Sequence, residues 1–69
     1  MHEEFARKLL AKRDLLAAEM TDTAEERKAF LWFFTLGLEV ALRMSDDATM
    51  VAMIQAAIDM ARSERIDVN

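Results

Sequence analysis

The sequence predicts an all-α protein of three short helices, and three observations carry that prediction. The 69 residues contain no proline and a single glycine, so almost nothing interrupts a helix. Ala, Leu, Met, Glu and Arg, which lose little freedom in a helix, are abundant. Two short polar runs, Thr21-Asp22-Thr23 and Ser45-Asp46-Asp47, hold side chains that cap helices and do not continue them.

The first helix is expected over about residues 3–20. At about 100° per residue, Phe5, Leu9, Leu16 and Met20 fall on one line, widened by Ala6, Leu10 and Ala17. Arg13 interrupts that face between Leu9 and Leu16. Its stem can lie along apolar neighbours while the guanidinium reaches an acid of its own chain or forks onto a partner's carboxylate. Arg7, Lys8 and Lys12 spread around the helix among Glu3, Glu4 and Asp14, so they read as a solvated face.

The second helix is expected over about residues 24–44. Thr23 and Glu26 have the spacing of a capping box, and Glu25 and Glu26 suit the positive end of the helix dipole. Its apolar arc covers roughly 240°, far more than the roughly 100° stripe of a helix buried on one side. Two neighbouring helices cover two sides of so wide an arc and leave a third, and a folded chain rarely exposes a large apolar patch. The expected cover is a second copy, giving a helical homodimer with this helix at its centre; the alternative is a compact monomeric three-helix bundle with a generous core. The interface assigned from sequence comprises Phe30, Phe33, Phe34, Gly37, Leu38 and Ala41. Gly37 costs about 1 kcal/mol relative to Ala inside a helix. Close approach of another helix at Gly37 and Ala41 is one compensation; a tolerated glycine without a role is the other reading.

Trp32 lies in the remaining polar strip, with Lys28, Glu39 and Arg43 along the same side. An indole flanked by charges has the composition of a binding hot spot. These four residues, with Arg13, are the candidate partner-binding set. The alternative for Trp32 is burial under a neighbouring helix.

The third helix is expected over about residues 48–64, with the tail from Arg65 fraying. Met50, Ile54, Ala57, Ile58 and Ala61 share a face edged by Val51, Met53 and Met60. The methionines read as core filler before an adaptable groove.

Composition narrows the function classes. One small domain, residues 1–69, is all this length holds. The net charge of −4 and pI near 4.8 lack the basic footprint of a nucleic-acid binder. No cysteine and one histidine, His2, leave neither a metal-ligand set nor a usual nucleophile–base pair. No enzyme activity, metal or cofactor is therefore expected. The run from Phe30 to Met44 contains Glu39 and Arg43 and falls short of the about 20 apolar residues of a membrane span. The charged start, MHEEFARKLLAKRD, does not read as a signal peptide. A cytoplasmic protein without membrane or nucleic-acid partners is expected.

In length, acidity and helical plan the chain resembles the small phage-encoded proteins that disable host machinery, and among them the phage anti-quorum-sensing proteins. The segment ERKAFLWFFTLGLEVALRMSDD is its most distinctive stretch. The resemblance implies an inhibitor of a host quorum-sensing transcriptional regulator, of the type IV pilus assembly ATPase, or of both. It carries over no individual site residue. The alternatives are a helix-turn-helix-like DNA-binding regulator and a structural or chaperone subunit of a helical complex.

Overall fold

The computed structural model describes residues 2–66. It contains α1 (Glu3–Met20), α2 (Ala24–Met44) and α3 (Ala48–Ile66), and no strand among the described residues. The first two ranges match the sequence expectation. The third helix runs two residues further than expected, so Arg65 and Ile66 are helical; the rest of the expected fraying tail lies outside the described residues.

Local chemistry explains each boundary. Glu3 and Glu4 occupy the first turn of α1, where the dipole favours acids. That helix ends as Thr21 turns extended (φ −127°, ψ 146°), with its N–H still donating to the Ala17 carbonyl. The capping box of α2 is complete. The Glu26 N–H donates to Thr23 Oγ1 at 3.1 Å, and Glu26 Oε1 accepts from the N–H of Thr23 at 3.3 Å and of Asp22 at 2.8 Å. At α3, Asp47 Oδ1 accepts from the N–H groups of Thr49 and Met50 at 2.8 and 3.1 Å. Asp47 is therefore the acid of the second break that caps.

The α1–α3 contact is the most extensive and the α1–α2 contact the least. The buried apolar residues are Ala6, Leu10 and Ala17 on α1 and Ile54, Ala57, Ile58 and Ala61 on α3. On α1 the structure keeps the Ala6, Leu10 and Ala17 side of the expected face and corrects its central line. Phe5 and Leu9 are half-buried, while Leu16 and Met20 are exposed. The buried line is Ala6–Leu10–Arg13–Ala17, about 100° around the helix from the expected one. Alanines on both helices explain the rotation, because short side chains let the backbones approach and fill the space that larger residues would hold open.

None of the 21 residues of α2, all described, is buried. A helix so apolar should bury its side chains on several sides. Instead it rests against α3 and α1 with part of its circumference and leaves the remainder uncovered.

Candidate functional site

The uncovered part of α2 is the candidate site. Ala29, Phe33, Leu36, Val40 and Met44 follow one another at spacings of four, three, four and four residues, and all five are exposed. That spacing places them in one stripe along the helix. Phe33 is 63% exposed and Met44 77%. Gly37 and Ala41, also exposed, edge the stripe on one side and Trp32 on the other. The Trp32 and Phe33 rings meet edge to face, with centroids 5.0 Å apart at 75°. If a Cβ were added to Gly37, it would meet nothing within 4 Å beyond its immediate neighbours and its own helix backbone. The close approach that was one of the two readings of this glycine is therefore not made by α1 or α3.

Beside the stripe, α2 and α3 enclose an open groove of about 310 Å³ lined by Trp32, Thr35, Leu36, Glu39, Ala61 and Arg62. The Arg62 guanidinium stands 3.4 Å from Glu39 Oε1 at its polar side. The Thr35 hydroxyl donates to the Leu31 carbonyl at 3.1 Å, so it presents no free donor to the groove. Trp32 is 51% exposed, which makes it neither a core residue nor a fully free one.

The candidate partner-binding residues separate into two groups. Trp32 and Glu39 line the groove; Lys28 and Arg43 are exposed on the same helix. Arg13 does not join them. It is 5% exposed in the α1–α3 contact. Its Nε and Nη2 donate to Asp14 at 3.0 and 2.8 Å, and Nη2 donates to Glu64 at 3.1 Å. The guanidinium is committed within its own chain, so Arg13 is removed from the partner-binding set.

The expected dimer interface divides likewise. Phe33, Gly37 and Ala41 are exposed, whereas Phe30, Phe34 and Leu38 are half-buried. Phe30 and Phe34 stack with centroids 6.5 Å apart. The exposed face is rotated by about 100° from the one assigned by sequence. Leu36, Val40 and Met44 were missed as site residues, although their periodicity within the wide arc was visible. The groove residues Ala61 and Arg62 had no signal in the sequence, since they reach Trp32 only through the packing of α3 on α2.

Other chemistry is sparse. Among the described residues, no three His, Cys, Asp or Glu side chains gather at one point. No described helix is long and apolar enough to cross a membrane. No protein-family profile, curated protein or solved structure matches this chain.

Proposed function

We propose that this protein is a non-enzymatic interaction module that assembles with a second copy through α2 and, as that dimer, binds and inhibits a larger protein. The observation that supports the reading is α2 itself: a 21-residue helix with no buried residue and a continuous exposed apolar stripe. An exposed patch of this kind, edged by Trp and charged residues, has the anatomy of a protein interface. The resemblance to phage anti-quorum-sensing proteins suggests the target class: a host quorum-sensing regulator or the type IV pilus assembly ATPase, met in the host cytoplasm.

The DNA-binding alternative finds less support. Arg62 is the basic residue that α3 would offer to phosphates among its described side chains, and Glu39 already pairs with it at 3.4 Å. The experiment is co-purification of the chain with each candidate target, alongside the Trp32→Ala variant. A stoichiometric complex that weakens in the variant supports inhibition by binding. Absence of a complex with both candidates, from a chain that is dimeric, overturns that target class.

A further inference from the structure

We infer that the second copy packs on α2 antiparallel, about a two-fold axis near the middle of that helix. The inference rests on the dimer proposed above and adds its orientation and register.

Charge order is the first argument. Along one flank of the exposed stripe, at about 100° per residue, lie Glu25, Lys28, Glu39 and Arg43, alternating in sign. Glu25, Lys28 and Arg43 make no ion pair among the described residues; Glu39 has only Arg62, at 3.4 Å. In antiparallel pairs, matching flanks face each other with the sequence reversed. Glu25 then meets Arg43 of the second copy, and Lys28 meets Glu39 of the second copy. Symmetry repeats both pairs. A parallel second copy instead sets this flank against the opposite one, edged by Gly37 and Ala41, which offers the four charges no such reciprocal pairs.

Shape is the second argument. The same register sets Ala29 against Val40 of the second copy, and Phe33 against its Leu36 with Gly37 alongside. The open space over Gly37 gives the Phe33 ring of the second copy room. A glycine that nothing in its own chain requires thereby gains a reason. The helix dipoles also oppose in this arrangement.

Area is the third. The chain exposes 5407 Å², about 1,000 Å² more than the roughly 4,400 Å² that mass scaling gives a folded monomer of this size. A standard interface takes about 800 Å² from each partner.

The absence of cysteine from the sequence makes the test clean. Ala29→Cys and Val40→Cys are prepared separately, and each is checked for mass by sedimentation. Oxidation of an equimolar mixture should give disulfide-linked dimers carrying one of each variant, while neither variant alone cross-links. In the antiparallel register, equivalent positions stand about 16 Å apart along the axis, beyond the about 7 Å Cα separation that a disulfide spans. Self-linking of both single variants overturns the orientation. A dimer by mass with no link in any sample overturns the register. A monomer by mass for the parent and both variants overturns the dimer and the inference together.

Discussion

Trp32 is the residue at which exposure and composition bear most directly on function. At 51% exposed, it should not behave as core. Trp32→Ala is expected to cost well under the about 3–5 kcal/mol of truncating a buried Trp, measured by urea unfolding. It should weaken target binding by about 2 kcal/mol, the scale of a hot spot, measured by calorimetry. As the only Trp, it also reports assembly directly. Its emission should be red and readily quenched on dilution, and more protected as concentration rises; a blue, protected indole at every concentration contradicts this placement. Arg13 shows the opposite case. Its charge is held inside by Asp14 and Glu64, both about half-exposed. Glu64→Ala should cost about 1 kcal/mol, because solvent screens a pair with one partner half in water. Arg13→Leu, which keeps volume and removes the charge, should destabilise less than Arg13→Ala. Urea midpoints of the three variants check both statements.

At the scale of the helices, the boundaries and most of the buried face of α3 were legible, and the faces of α1 and α2 only in part. Thr23, Glu26 and Asp47 act on backbone N–H groups within four residues, so a linear sequence contains both partners of each bond. Thr23→Ala should remove the capping bond and cost about 1 kcal/mol of stability, read from thermal unfolding. The buried side of α1 depends instead on how closely α3 approaches. Periodicity favoured the large side chains Phe5, Leu9, Leu16 and Met20; the packing favoured Ala6 and Ala17, opposite a helix that itself presents Ala57 and Ala61. The same limit applies to α2, whose exposed face overlaps only in part with the interface assigned from sequence. A 240° arc announces that several sides need cover, but not which side α1 and α3 leave open. Gly37 distinguishes the isolated chain from the proposed dimer. In an isolated molecule, Gly37→Ala should stabilise α2 by about 1 kcal/mol, since no described atom opposes the added methyl. In the dimer the methyl occupies the space assigned to Phe33, so the variant should dissociate more readily. Unfolding midpoints compared at low and high protein concentration separate these opposing effects.

At the scale of the molecule, the chain exposes an apolar face that the proposed dimer would cover. Its radius of gyration is 12.4 Å, against about 11 Å expected for a compact domain of this length. The α1–α3 pair supplies the buried core, and α2, with no buried residue, supplies the face assigned to the second copy in the proposed dimer. All-helical architecture, three elements and the surplus of apolar surface were readable from composition and periodicity. The groove beside Trp32 was not, because Ala61 and Arg62 arrive there from a helix about thirty residues away in sequence.

The most direct test of the assembly is sedimentation equilibrium of the parent chain beside Val40→Asp at micromolar concentration. Val40 is 47% exposed, so the carboxylate should be tolerated in the isolated molecule and costly when a second copy seals the stripe. The predicted result is twice the 7.9 kDa chain mass for the parent, and the single-chain mass with retained helical circular dichroism for the variant. A parent that sediments as a single chain would contradict the account.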